Sequence, residues 1–199
     1  NAFPTGAQAA GPPPRKTVEY GTGIVVSEDG AVLTDRQLLD GCMAIAIAGH
    51  GNADKAAEDK ERDLALLRIY GARGLKPLNL ASGTKTAVDL VGITDPQNQG
   101  GGNAVSSVKA QVTETVISPP PGSGFSGAAA VDADGKFAGL VQLKPAVVAG
   151  LATNAMPAMQ AALVPADTVR GFLKANGVNA TGVSTDAKAS VVRVICVRK

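Results

Sequence analysis

The stretch from Gly21 to Thr34 constrains the fold most. Gly21-Thr22-Gly23-Ile24-Val25-Val26 reads as a strand, Ser27-Glu28-Asp29-Gly30 as a tight turn and Ala31-Val32-Leu33-Thr34 as the returning strand. Apolar, β-branched runs on either side of an Asp-Gly turn are the signature of a β-hairpin. Met43–Ala48 continues the pattern with Ile45 and Ile47 on one face, and Leu64–Ile69 is an apolar run of buried-strand length. These segments predict a small barrel over about 17–80. Further strands are expected at Val88–Ile93, Val108–Val116, Ala128–Val131 and Phe137–Leu143, with Asp132-Ala133-Asp134-Gly135 as a hairpin turn, so a second barrel should occupy about 85–163.

With 24 glycines, 12 prolines and only 3% aromatic residues among 199, the chain suits many short strands around a core of small aliphatic side chains. One helix stands out, 165–175, with Pro165 suited to its first turn, Asp167 near the positive end and Gly177 at the stop; Val169, Phe172 and Leu173 form its apolar stripe. The closing segment 190–197 alternates Val191, Arg193, Ile195 and Val197 against Val192, Val194 and Cys196, a strand apolar on most of both faces and expected to dock onto a barrel. Residues 1–16, with Pro12-Pro13-Pro14, read as a flexible linker or export spacer, and Gln97–Asn103 as a mobile loop.

Charge excludes one class of partner. Nineteen basic residues are dispersed among 17 acidic ones for a net charge of +2, with no basic run or aromatic-interleaved patch to grip nucleic acid. No stretch approaches the roughly 20 apolar residues of a membrane-spanning helix. The first residues lack the basic and apolar regions of a signal peptide, so a signal either was removed or never existed. No Gly-Lys-Ser/Thr phosphate loop, Cys-x-x-Cys pair or second histidine is present, and no metal or cofactor is expected.

Two segments carry the chemistry, Arg62-Asp63-Leu64-Ala65-Leu66-Leu67-Arg68 and Gly124-Phe125-Ser126-Gly127-Ala128-Ala129. Taken with the opening hairpin and in this order, they resemble the Asp and Ser segments of the chymotrypsin-like serine peptidases, the bacterial HtrA-type branch above all, over roughly residues 18–177. That resemblance implies an all-β architecture of two antiparallel six-stranded barrels followed by the helix and closing strand. It places a nucleophile at Ser126, an acid at Asp63 and oxyanion-hole N–H groups at Gly124 and Ser126. The strand Gly139-Leu140-Val141-Gln142 would line a cleft in which an extended peptide pairs by strand addition.

In the family pattern Thr-Asn-Ala-His precedes two apolar residues; here the segment is Thr34-Asp35-Arg36-Gln37-Leu38-Leu39. Gln37 thus stands where the general base belongs. A carboxamide has no basicity near neutral pH, so Gln37 cannot take the serine proton as an imidazole would. Asp63, with no histidine to orient, reads better as a turn or capping residue before a buried strand. The expected function is accordingly a pseudopeptidase that binds a peptide or protein, or serves as a structural domain. The alternative is an active serine endopeptidase with an unconventional base. Its candidates are His50, the sole histidine, in a hairpin tip, and Lys136 or Lys144 in a Ser-Lys dyad with Ser126. Ala128 and Ala129 replace the family's Gly-Pro, Phe125 fills a position that is usually polar, and Pro120 stands where trypsin-type enzymes carry an acid, so nothing favours basic substrate side chains. The two cysteines, Cys42 and Cys196, are read as a disulfide tying down the tail, with two buried free thiols as the alternative. Because the family is largely exported, the bridge implies a periplasmic or secreted protein.

Overall fold

The structure, a computed structural model, describes residues 17–94, 104–145 and 159–199. The expected linker at 1–16 and loop at 97–103 lie outside them. Twelve strands form two closed barrels. The first takes β1 (Thr17–Val25), β2 (Ala31–Asp35), β3 (Ala44–Ile47), β4 (Gly51–Asp59), β5 (Leu64–Ile69) and β12 (Val191–Arg198), ordered β1-β12-β3-β4-β5-β2. The second takes β6 (Ala87–Ile93), β7 (Val105–Thr113), β8 (Val116–Ser118), β9 (Ala129–Val131), β10 (Phe137–Pro145) and β11 (Met159–Pro165), ordered β10-β11-β8-β7-β6-β9. Every strand pair is antiparallel, as the sequence led us to expect.

β2, β5 and the buried stretches of β1 and β12 are apolar on both faces because both are covered. Val25, Val32, Ala65, Leu67, Val192 and Val194 fill the barrel interior. Their neighbours Ile24, Leu33, Leu64, Leu66 and Val191 turn outward into a second core shared with Val91, Ala129 and Leu140 of the other barrel. The interface between the barrels is therefore as dry as either interior, which holds the residues along it in fixed relation.

Within 17–80 the first barrel has only five of its strands. It closes when β12 inserts between β1 and β3, in register from Thr17↔Arg198 to Ile24↔Val191 and from Val194↔Ile47 to Val197↔Ala44. The closing strand is thus a stave of the barrel rather than an appendage. Cys42 and Cys196 are disulfide-bonded, their Cα atoms 5.4 Å apart, and the bridge spans 154 residues of sequence. It fastens the turn leading into β3 to the middle of β12.

Helix α1 (Ala166–Ala175) follows β11 directly, with Pro165 as its N-cap rather than inside its first turn. Val169, Phe172 and Leu173 are buried in the inter-barrel core, and Asp167 pairs with Arg170 at 2.7 Å. Gly177, at φ +75°, ends it. A short α2 (Ala187–Ser190) leads into β12. Among the described residues no helix is long and apolar enough to cross a membrane.

Candidate functional site

At the end of β2 the chain turns into a single 3-10 turn, Arg36–Leu39, because the Asp35 carboxylate caps it: Oδ1 accepts the Gln37 N–H at 3.1 Å. Leu38 and Leu39 anchor the turn in the first barrel's core. Arg36 and Gln37 are left half-buried and face the residue before β5, Asp63. Asp63 sits in the left-handed region at φ 55°, which aspartate tolerates better than most residues. Its backbone carbonyl accepts from Arg36 N and from the Gln142 side chain.

Around the Asp63 carboxylate the donors crowd. Arg36 reaches Oδ1 with Nε at 3.2 Å and Nη2 at 3.0 Å, while Gln37 Nε2 at 3.2 Å and Lys144 Nζ at 3.1 Å share Oδ2. Burial would raise this carboxyl's pKa, but the hydrogen bonds and charges of Lys144 and Arg36 outweigh it and hold the group below its ordinary range. Gln37 therefore does meet Asp63, as a histidine at that position would. It meets it only as a hydrogen-bond donor.

Ser126 comes from the other barrel, at the end of a 3-10 turn Ser123–Phe125. Thr22 of the first barrel fastens this region through three hydrogen bonds and is itself held by a fourth. Thr22 N donates to Ser126 O at 2.8 Å, Thr22 Oγ1 donates to Gly124 O at 2.6 Å and accepts from Ile93 N at 3.1 Å, and Thr34 Oγ1 donates to Thr22 O at 2.8 Å. Gly127 lies against this seam at φ +86°, where a Cβ would collide with Thr22 O and Thr34 Oγ1. Only glycine fits. Phe125 is buried in the second barrel's core against Gly92 and Ala128, so the unusual aromatic before the serine is a packing residue.

The Ser126 hydroxyl faces neither Gln37 nor Asp63. It donates to Asp35 Oδ2 at 3.1 Å. Asp35 is fully buried, and its two recorded donors, Gln37 N–H and Ser126 Oγ–H, are both neutral. Desolvation pushes its pKa up to about 6, against the pull of those two hydrogen bonds; nearby Asp63 adds to the rise and Lys144 opposes it. Sequence reasoning passed over Asp35. Its signal was an acid in place of the family's asparagine, at the buried end of an apolar strand.

The remaining expectations divide. Lys144 bonds Asp63 rather than Ser126, and Lys136 lies in the β9–β10 hairpin with its backbone N–H on Asp132, so no Ser-Lys dyad forms. His50 is exposed in the turn between β3 and β4. Of the expected oxyanion pair, Ser126 N–H is turned to the Ser123 carbonyl at 3.4 Å. The expected cleft strand is largely occupied: Gly139 and Leu140 pair with β9 on one side and β11 on the other, and Val141 exchanges backbone hydrogen bonds with Gly127 and Ala128. Beyond Val141, among the described residues, no strand pairs with β10 on the β9 side. Gln142 and Leu143 are nonetheless buried, and the Gln142 side chain donates to Arg62 O and Asp63 O.

The chain folds into two six-stranded barrels, with Asp63 carried by the first and Ser126 by the second, and a profile of the trypsin-like peptidase domain matches residues 21–140. The chain belongs to the trypsin-like peptidase family. The crystal structure of a serine endoprotease from Yersinia pestis superposes on this trypsin-like domain with a TM-score of 0.59 at 20% identity, covering 78% of this chain and 57% of that one. The uncharacterised protein y4bJ of Sinorhizobium fredii is 30% identical over 147 residues, which is 67% of this chain and 23% of that protein. The chain thus spans about a quarter of the length of this relative and little more than half of the Yersinia chain.

Proposed function

We propose that this trypsin-like domain is a pseudopeptidase that holds an extended peptide or protein segment without cleaving it through a histidine relay. The carrying observation is the Gln37 carboxamide donating to Asp63 at 3.2 Å. The base position is filled by a group that cannot accept the serine proton, and the acid is already neutralised by Arg36 and Lys144. That no described strand pairs with β10 on the β9 side beyond Val141 supports strand addition, with main-chain hydrogen bonds as the source of affinity. The disulfide supports an oxidising compartment, periplasmic or secreted.

The test is an array of unstructured peptides probed with the native protein, followed by mass spectrometry of any peptide bound and by amide spectra of the complex. We expect bound peptides to stay intact and to shift the Gln142–Lys144 amides. Turnover of bound peptide would restore the endopeptidase reading, and absence of cleft-dependent binding would leave a structural domain.

A further inference from the structure

We infer that Ser126 and Asp35 form a two-residue acyl-transfer couple, in which the buried Asp35 carboxylate takes the serine proton when Ser126 attacks an acyl or phosphonyl donor whose leaving group departs as a stable anion. This goes beyond the binding reading and does not depend on it.

The geometry carries the inference. Capping the Arg36–Leu39 turn uses one Asp35 oxygen, Oδ1. The other, Oδ2, lies 3.1 Å from Ser126 Oγ with the hydroxyl donating, the arrangement a general base needs before proton transfer. Ser126 is half-buried and Asp35 fully buried, so a reagent can meet the serine while the carboxylate stays dry behind it. A solvated carboxylate is too weak a base for this task, but the buried one has its pKa raised to about 6 by desolvation, close to the range in which an imidazole works. The charged groups around it are Asp63 and Lys144, with Arg36 turned toward Asp63.

The step balances without a further reagent. The Ser126 Oγ–acyl carbon bond forms, the Oγ proton passes to Asp35 Oδ2, and the bond from the acyl carbon to an aryl oxide breaks with its electron pair on the leaving oxygen. With a fluorophosphonate the Oγ–phosphorus bond forms and fluoride leaves. The same placement restricts the substrate class. Asp35 sits behind Ser126 and has no exposed surface from which to hand the proton to a departing amine, so aryl esters fit and peptide bonds do not. The N–H of Ser126 must leave the Ser123 carbonyl for the developing oxyanion, which breaks the one hydrogen bond between them, at 3.4 Å.

The experiment is intact-protein mass spectrometry after exposure to 4-nitrophenyl acetate and, separately, to a fluorophosphonate, from pH 5 to pH 8. Native protein, Ser126→Ala, Asp35→Asn and His50→Ala are compared, with near-ultraviolet circular dichroism to establish that each is folded. We expect one adduct on Ser126 whose rate rises through a single ionisation near pH 6, is lost in Ser126→Ala, falls about 100-fold in Asp35→Asn and is unchanged in His50→Ala. Should Asp35→Asn fail to fold, the native pH profile decides alone, since a rate still climbing log-linearly to pH 8 would assign the proton to solvent hydroxide. Absence of an adduct at every pH, or an undiminished rate in folded Asp35→Asn, overturns the couple. Peptide binding measured on the same samples keeps the two readings apart: binding without an adduct sinks only this inference, and an adduct without binding sinks only the pseudopeptidase cleft.

Discussion

Asp63 and Asp35 flank the same glutamine and differ in almost every respect that sets a carboxylate's behaviour. Asp63 has two cations and a carboxamide on its oxygens, and its pKa is held low. Asp35, within one turn of chain from Gln37, is capped by a backbone N–H and a hydroxyl, and its pKa is raised. The residue that the family pattern names as the acid has been turned into the centre of an ion-pair cluster. The residue the pattern does not name has become the one that touches the nucleophile. What decides is depth of burial together with company: desolvation lifts the more deeply buried Asp35 against the pull of its neutral donors, whereas the charged donors on Asp63 hold its carboxylate down.

The largest expected effect tests whether this contrast belongs to the local groups or to the frame that holds them. Replacing Cys42 and Cys196 together by alanine should cost up to about 5 kcal/mol, because the bridge closes a very long loop. By thermal unfolding that is a fall of about 10–20 °C. If the local donors set the contrast, the two carboxylates should titrate apart even in this weakened protein. Convergence of the two would assign the difference to the frame.

Next in size is the pH dependence of stability, where the two groups have opposite signs. Asp35 binds its proton more tightly folded than unfolded, so its contribution to stability is full below 3.8 and lost as pH rises through about 6. Between pH 4 and pH 8, denaturant unfolding should therefore shift by about 2–3 kcal/mol in favour of Asp35→Asn relative to the native protein. Asp63 contributes stability that is present above 3.8 and lost as pH falls through its depressed value. Asp63→Asn, which keeps a residue suited to φ 55°, should cost about 1–2 kcal/mol at pH 7, since Arg36 and Lys144 remain partly solvated, and this cost should vanish in acid. The smallest effect is that of Gln37→Ala, about 0.5–1 kcal/mol for one lost hydrogen bond, with the Asp35 titration barely moved.

Much of the frame was legible because it rests on local chemistry. The Asp-Gly turns at 29–30 and 134–135, the apolar run Leu64–Ile69 and the Pro165/Gly177 limits of α1 each declare themselves within a few residues. β4, by contrast, reads Gly-Asn-Ala-Asp-Lys-Ala-Ala-Glu-Asp, with only Ala53 fully buried, and is a strand by virtue of its neighbours β3 and β5. β11, Met-Gln-Ala-Ala-Leu-Val-Pro, was likewise not among the expected strands. The place of β12 depends on pairing Thr17 with Arg198, which no local pattern encodes. At the site, Ser126, Gln37 and Asp63 were found by their order along the chain. Asp35 and Thr22 were not, because their meaning lies in contacts with Ser126 and Gly124 about a hundred residues away.

The most direct measurement is a carbon-13 titration of the aspartate side-chain carboxyls by nuclear magnetic resonance, with Asp35→Asn and Asp63→Asn supplying the assignments. The account predicts a midpoint near 6 for Asp35, rising further in Ser126→Ala as the hydroxyl is withdrawn, and a midpoint below 3.8 for Asp63. An Asp35 midpoint near 3.8 that ignores Ser126→Ala would contradict it, since the serine would then have no basic partner in this site.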